Sequence, residues 1–554
     1  MATIDGVTPY PSEFVARYRA LGYWEDRSMA AFFDEVCTRF ADRVALVVGD
    51  EHITYRQLAQ RAERLALHLL NLGLRPRESI VMQLPNTPEF VYLYVALQKV
   101  GAIPVLALAT HRYAEITQFV RLSNAVAYAF PERMSDFDFT ALAEKLRQEH
   151  PSLRLLLISG QASLLESVSL QTLLQTENES SPNRLAEITS DPLLPAIFQL
   201  SGGTTGIPKL IPRTHNDYIY NTKAAAAIND ITLDASLLVV LPMAHNFPLA
   251  CPGVQGFLSR GARCILAPSN RPLDIVSLIQ RERITHAELV PALLIRLINE
   301  PLPSRYDLTS LRIINTGGQK LQPEVKQRTE QLLPHCKVQE VFGMAEGLLC
   351  YVRLDDPDEL RYETAGRPVS EGDEIKLVDD EGHEVPEGEI GELLVHGPYT
   401  FRGYFRAPEQ NAKSFTLDGF YRSGDLMRRH ASGNYIVEGR KKDLINRGGE
   451  KISTEEIENL VLSHPSVFNV ACVPMPDPTL GERMCAFVML QAGTTLTLEE
   501  LNVFLLEKHI AKFKLPERLE VVDEFPLSKF GKVSKPTLTH IIAEKLAQER
   551  ITEE

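Results

Sequence analysis

Short apolar runs alternate with amphipathic stretches through the first two-thirds of the chain. Residues 45–48, 79–84 and 103–108 have the length and composition of buried strands. Between them, Leu58, Ala62, Leu65, Ala66, Leu69 and Leu70 recur at roughly helical spacing behind Thr54, a residue type suited to an N-cap, and 89–99 reads as a second helix. Strand–helix alternation of this kind predicts an α/β fold with a largely parallel sheet. The polar stretch 175–183 reads as a surface loop, and there is no internal repeat or low-complexity tract. After about Gly366 the texture changes. Strand-like pieces now come with frequent glycines, as in GEIGELLVHGPYTFRGYF, and 418–424 and 432–433 read as turns. Beyond Gly439-Arg440-Lys441-Lys442 a separate pattern begins, with strands at 470–473, 486–490 and 519–522 and a helix at 498–508. The pattern predicts a large N-terminal domain over 1–439, with mixed sheets and helices, and a small α+β C-terminal domain over 440–554.

Composition adds bounds. A single core rarely grows past about 250–300 residues, so 554 residues imply at least two domains. Hydrophobic residues at 44% and charged residues at 23% give ample core material for an ordinary globular protein. The net charge of −14 argues against non-specific nucleic-acid binding, which needs a basic surface. The seven cysteines are scattered with no C-x-x-C pair, which signals neither a disulfide framework nor a zinc site and fits a cytoplasmic location. The N-terminus does not read as a signal peptide, and no run approaches the ~18 apolar residues of a membrane span.

Four motifs carry chemistry. Ser201-Gly202-Gly203-Thr204-Thr205-Gly206-Ile207-Pro208-Lys209 follows the apolar run 196–200. Glycines let the backbone approach an anion, hydroxyls and amides can surround phosphate oxygens, and a lysine offsets charge. Lys209 is not adjacent to Gly206, so this is not the common P-loop. In Val341-Phe342-Gly343-Met344-Ala345-Glu346-Gly347 a lone loop glutamate stands among apolar neighbours, where an unpaired carboxylate is costly and a magnesium ion carried by ATP would supply a partner. Tyr421-Arg422-Ser423-Gly424-Asp425, with Glu438-Gly439-Arg440, offers a carboxylate for a ribose diol and a guanidinium for a phosphate. Taken alone it reads as a turn with a surface ion pair. Pro526-Leu527-Ser528-Lys529-Phe530-Gly531-Lys532-Val533 ends in a lysine that by itself reads as exposed surface.

In this order and at these separations the four motifs resemble those of the adenylate-forming superfamily, which includes acyl-CoA synthetases, adenylation domains and luciferases. The resemblance covers nearly the whole chain. Ser423 departs from the usual threonine but keeps the hydroxyl. The resemblance implies that Ser201, Gly202, Gly203, Thr204, Thr205, Gly206 and Lys209 embrace the β- and γ-phosphates of ATP. It implies that Gly317, Gly318, Gln319, Val341, Phe342 and Ala345 line the adenine side. Glu346 would hold Mg2+, Asp425 the ribose hydroxyls with Arg440 assisting, and Lys532 would reach from the small domain to the carboxylate and α-phosphate. Lys442 would be the hinge on which a mobile small domain turns, and Gly448 and Gly449 would line the thiol tunnel.

A narrower resemblance lies in YPSEFVARYRALGYW, LPMAHNFPLACPGV and VFGMAEGLL, which look like the stand-alone aryl-acid adenylating enzymes of siderophore biosynthesis. It implies activation of a small aromatic acid and transfer to an aryl carrier protein, while the acidic charge and the lack of a long apolar run predict no nucleic-acid or membrane partner. His245, Asn246, Cys251, Gly318 and Leu349 would form the acid pocket, with His245 as an aromatic wall and Asn246 at the carboxylate and ortho hydroxyl. Dihydroxybenzoate members typically carry serine and valine where this chain has Cys251 and Leu349. A thiol is a weak partner for a ring hydroxyl, so the pocket leans to salicylate, with 2,3-dihydroxybenzoate next. Lys508, Lys512, Lys514 and Arg518 form a candidate docking cluster for an acidic carrier, or simply a solvated face. The competing readings are an aryl-CoA ligase using free coenzyme A and, lower, a non-catalytic nucleotide-binding protein.

Overall fold

Two wide sheets carry the first two-thirds of the chain. A computed structural model describes residues 3–135, 137–160, 164, 166–178, 180–181, 183–201, 208–447, 450–508, 510–527 and 532–553. One sheet of nine strands runs in the order Arg367–Pro368, Gly347–Tyr351, Lys337–Met344, Ile313–Gly317, His286–Leu289, Ser236–Val239, Arg263–Leu266, Val44–Val48 and Glu51–Thr54. Its interior pairs are parallel, while the pairs at both ends are antiparallel. The second sheet has seven strands, from Leu210–Thr214 and Pro195–Leu200 through Ile103–Leu106, Ser79–Met82, Ala127–Pro131 and Leu155–Ser159 to Ser167–Ser169. It is parallel except where Pro195–Leu200 pairs with Leu210–Thr214. Strands buried on both faces read as continuous apolar runs, which is why these segments are recognisable without alternation.

The helices start and stop where the local chemistry directs. Thr54 caps Tyr55–Asn71 in a reciprocal capping box with Gln57, satisfying two orphan donors. Pro88 opens Pro88–Val100, and Gly101 closes it with φ +71.

A four-stranded antiparallel sheet, Glu374–Val378, Ile390–His396, Tyr421–Arg429 and Tyr435–Arg440, follows. The turn expected over 418–424 is shorter than its sequence suggests, because Tyr421 onward is strand. Ser423, Gly424 and Asp425 form a bulge there: Leu394 faces Arg422 and Glu392 faces Leu426, so three residues oppose one. Gly424 supplies the positive φ of +72.

The chain then passes through a short 3-10 turn, Lys441–Asp443, into the last sheet. Glu450–Ser453, Leu444–Arg447, Gly481–Leu490 and Val467–Asp477 pair in that order, and Arg518–Val521 joins Gly481–Leu490 in parallel. Its helices are Thr454–Leu462, Leu498–Glu507 and Lys535–Glu553. This lobe has its own core, centred on Ile445, Ile452, Ile457, Val461, Met484, Val488 and Leu505. It touches the rest of the chain through Ser453 Oγ, which donates to Glu438 O at 2.7 Å, and through an amide contact between Gln322 and Asn459. No helix among the described residues is long and apolar enough to cross a membrane.

Candidate functional site

The glycine-rich motif begins at the end of one strand and ends at the start of the next. Ser201 follows Pro195–Leu200, and Lys209 precedes Leu210–Thr214. Ser201 N donates to Lys209 O at 2.9 Å, and Lys209 N donates to Ser201 Oγ at 3.0 Å, so the two ends are clamped as a neck. Gly202, Gly203, Thr204, Thr205 and Gly206 lie outside the described residues. The Lys209 ammonium sits 5.3 Å from the Tyr404 ring centre. Tyr404 OH donates to Glu346 Oε1 at 2.8 Å and lies 3.0 Å from Tyr421 OH. Lys209, Tyr404 and Glu346 therefore form one group.

Glu346 is not in an open loop, as its sequence suggests, but at the tight turn between Lys337–Met344 and Gly347–Tyr351. It is 8% exposed. Burial pushes its carboxyl up, and the Tyr404 hydrogen bond pulls it back. The turn needs Gly347, whose φ is +133 and whose Cβ, were there one, would meet Thr400 Cα at 2.5 Å. Phe401 N donates to Glu346 O at 2.8 Å, fixing the peptide from the other side.

Gly317 ends strand Ile313–Gly317, in register with Val341. A side chain at Gly317 would meet Val341 Cγ1 at 2.5 Å, so only glycine lets these strands lie so close. Gly318 and Gln319 follow on the exposed surface, and Phe342 is half-buried. Lys532, from the small lobe, lies over Gly318: a Cβ there would be 3.3 Å from its Cε and 3.5 Å from its Nζ. Its charge is felt at both His245 and Asp425. Burial first, and that positive charge second, hold His245 down at about 4, so its imidazole is neutral at neutral pH. Asp425, 4% exposed, accepts from Arg440 Nε at 2.9 Å. Burial raises its carboxyl and Arg440 opposes the rise. Arg440 itself is 45% exposed at the side chain, so its head remains available to an anion.

The third group is almost entirely buried. His245 is the N-cap of Asn246–Ala250, its Nδ1 accepting from Phe247 N at 3.4 Å. Asn246 accepts from Tyr218 OH at 2.9 Å and gives its Nδ2 to Cys251 Sγ at 3.2 Å. Cys251 packs in one cluster with Val341, Leu349, Tyr351 and Tyr399, beside Tyr220 and Phe247. Tyr351 OH donates to Cys251 O. Leu349 N donates to Tyr399 OH at 2.9 Å, and Tyr399 OH donates to Asp373 Oδ2 at 2.6 Å.

Cys251 and Leu349 thus come together, and Lys532 lies over Gly318, near enough for its charge to act on His245 and Asp425. Gly448 and Gly449 lie outside the described residues, and Lys442 sits between the last two sheets. Of the docking cluster, Lys514 pairs with Glu456 at 2.7 Å and Arg518 with Glu520 and Glu549 at 2.6 Å, so both charges are spent within the small lobe. Tyr404, Tyr399, Asp373 and Arg213 are absent from the sequence reading of the site. No local motif marks them: Tyr404 reaches Glu346, Tyr399 reaches Asp373 and Arg213 reaches Ala345 from well along the chain, and only the Arg213–Asp217 pair is local. Among the described residues no three His, Cys, Asp or Glu side chains gather to hold a metal. A single buried carboxylate fits Mg2+ that arrives on phosphates and keeps most of its waters, which needs no protein cage.

Residues 33–405 match the family described as AMP-binding enzyme, and residues 456–532 match the AMP-binding enzyme C-terminal domain. The chain belongs to the AMP-binding enzyme family. Among its relatives, a "Salicylyl-CoA synthase / salicylate adenylyltransferase" of Streptomyces sp is 45% identical, covering 98% of this chain and 99% of the relative. A "2,3-dihydroxybenzoate-AMP ligase" of Bacillus subtilis is 43% identical, covering 98% and 99%. A "Salicyl-AMP ligase / salicyl-S-ArCP synthetase" of Mycobacterium tuberculosis is 41% identical, covering 96% and 94%. Of solved structures, apo MbtA of Mycobacterium smegmatis superposes with a TM-score of 0.74 at 40% identity, covering 97% of this chain and 98% of that one.

Proposed function

We propose that this member of the AMP-binding enzyme family activates a 2-hydroxybenzoic acid, salicylate in preference to 2,3-dihydroxybenzoate, as its aryl-adenylate and passes the aryl group to the phosphopantetheine thiol of an aryl carrier protein. In the first step a carboxylate oxygen attacks the α-phosphorus of ATP. The bond to the β-phosphate bridge breaks, and pyrophosphate leaves. In the second, the thiol adds to the acyl carbonyl, loses its proton, and expels AMP. The observation that carries the reading is the position of Lys532 over Gly318, where its charge acts on His245 and Asp425.

In this reading the 201–209 segment and Lys209 hold the β- and γ-phosphates. Gly317, Gly318, Gln319, Val341, Phe342 and Ala345 bound the adenine, while Asp425 binds the ribose hydroxyls with Arg440 beside it. Lys532 meets the negative charge that builds between carboxylate and α-phosphate, where a fixed cation is worth several kcal/mol. Glu346 would hold Mg2+, which when bound neutralises charge on the phosphates. Tyr404 fixes the carboxylate that meets it. Neutral His245 borders the acid, Asn246 reaches its carboxylate and ortho hydroxyl, and Cys251 and Leu349 form the wall at ring position 3. Lys442 is the hinge between a domain of 1–439 and one of 440–554, and Gly448 and Gly449 line the approach of the thiol.

Exchange of labelled pyrophosphate into ATP across a panel of benzoic acids tests the first step. Salicylate should lead, with 2,3-dihydroxybenzoate behind it, and background exchange with every acid would overturn the proposal. The name of the Streptomyces relative, a salicylyl-CoA synthase, favours a second reading in which free coenzyme A is the acceptor. The mass shift of a carrier protein, compared with coenzyme A consumption, separates the two.

A further inference from the structure

Arg213 is fully buried, and its side chain bridges the two halves of the site. Nε donates to Asp217 Oδ1 at 2.8 Å in an ion pair whose members are both 0% exposed at the side chain. Nη1 donates to Ala345 O at 2.9 Å. Nη2 donates to Tyr399 O at 3.2 Å and to Asn221 Oδ1 at 3.4 Å. Its guanidinium carbon stands 5.0 Å from the Tyr218 ring centre.

Apart from Asp217, these partners lead to one half-site or the other. Ala345 O belongs to the peptide that enters Glu346, and Tyr399 O lies two residues before Phe401, whose N–H holds Glu346 O. On the other side, Asn221 Nδ2 donates to Ala250 O at 2.7 Å and reaches Cys251 Sγ at 3.8 Å. Tyr218 OH donates to Asn246 Oδ1.

From this we infer that Arg213 is a positioning residue that couples the aryl-acid pocket to the Glu346 turn, so that occupation of one half-site sets the geometry of the other. The inference rests on the reading of the two half-sites given above. The physical argument is about rigidity. A buried ion pair is a costly way to fill a core, and well-packed apolar side chains of similar volume are often no less stable. What a guanidinium adds is a planar fork with donors in fixed directions. Four acceptors from three parts of the chain, the helix of Asp217 and Asn221, the Ala345 peptide and the Tyr399 peptide, are tied to that one plane. A displacement of Asn221 on the acid side is carried to Ala345 without any soft torsion between them.

The test uses the full-length enzyme in pyrophosphate exchange, with thermal melts of every variant. Asn221→Ala cuts the link on the acid side and leaves the Arg213–Asp217 pair intact. At saturating salicylate its KM for MgATP should rise at least about threefold, an effect on the far half-site that loss of local packing alone would not produce. Arg213→Lys should lower kcat about tenfold or more with a folded-state spectrum retained. If that variant does not fold, Asn221→Ala decides. Combined with Tyr404→Phe, Asn221→Ala should cost less in kcat/KM for ATP than the product of the two single losses. ATP parameters of Asn221→Ala within about twofold of wild type, together with a double variant that equals the product, would overturn the inference. Absence of exchange in the wild type would instead remove the functional reading beneath it.

Discussion

A thiol makes a poor partner for a ring hydroxyl, and Cys251 already receives two amides. Asn246 Nδ2 lies at 3.2 Å and Asn221 Nδ2 at 3.8 Å from its sulfur. Replacing it by serine shortens the side chain's bonds and supplies a stronger acceptor and donor. Leu349 is 2% exposed in the same cluster, so valine there opens the volume of one methylene. Cys251→Ser with Leu349→Val should therefore move the ratio of kcat/KM for 2,3-dihydroxybenzoate over salicylate upward, by roughly tenfold for a hydroxyl that gains its partner. An unmoved ratio would show that these two residues do not border ring position 3. Both lie in motif-bearing segments, which is why the sequence singles them out together, and the structure packs them in one cluster. Arg213 and Tyr404 are not singled out, since Arg213 finds Ala345 132 residues away and Tyr404 finds Glu346 58 residues away. Spacing along the chain carries no trace of such pairs.

The element that carries Glu346 and Leu349 is a hairpin, and its second strand is held by the segment that follows residue 396. Tyr399 accepts from Leu349 N and donates to Asp373, whose carboxyl is buried and raised by that burial from 3.8 to about 8, with hydrogen bonds from Tyr399 and Ser370 opposing. The sign follows from comparing the two states. Below about pH 4 both folded and unfolded chains carry the proton, and this group gives no pH dependence. From there to about 8 the unfolded chain gives it up while the folded one keeps it, so stability falls as pH rises, by about 1.4 kcal/mol per unit in the limit. Asp373→Asn removes the proton and keeps an oxygen for Tyr399. Relative to this variant, the wild-type Tm should fall steadily between about pH 5 and 8 and level off above. Parallel curves in scanning fluorimetry would mean that Asp373 is ionised in the folded protein. At this scale the strands expected at 45–48, 79–84, 103–108 and 196–200 and the helices behind Thr54 and at 89–99 fall within a residue or two of the observed ones, the strands as apolar runs and the first helix by its spacing. The bulge at Ser423 to Asp425 is not legible, since its glycine and hydroxyl spell a turn and only pairing with Ile390–His396 makes it strand.

At the scale of the whole molecule, two lobes with separate cores meet where Lys532 lies over Gly318, and what they bring there differs. The large lobe brings the buried cluster around Cys251 and Leu349, the clamped neck of Ser201 and Lys209, and Glu346. The small lobe brings Lys532. Ser453 on Glu438 O and Gln322 on Asn459 tie it to the large lobe, and in the linking turn Lys441 pairs with Asp380 at 3.0 Å and Glu392 at 3.1 Å. Lobes with separate cores, joined by one short turn and polar ties, suit separation between half-reactions, as interfaces inside a chain commonly do. A cation needed only while charge passes between carboxylate and α-phosphate should then matter to one half-reaction alone. Lys532→Ala should reduce pyrophosphate exchange by about a thousandfold or more, the scale of a fixed cation worth several kcal/mol. It should leave thiol transfer from chemically prepared salicyl-adenylate within a few-fold of wild type. Single-turnover transfer to a carrier protein measures the second quantity without the first. If both fall together, Lys532 serves the thiolation geometry as well, and the small lobe works from one position rather than two.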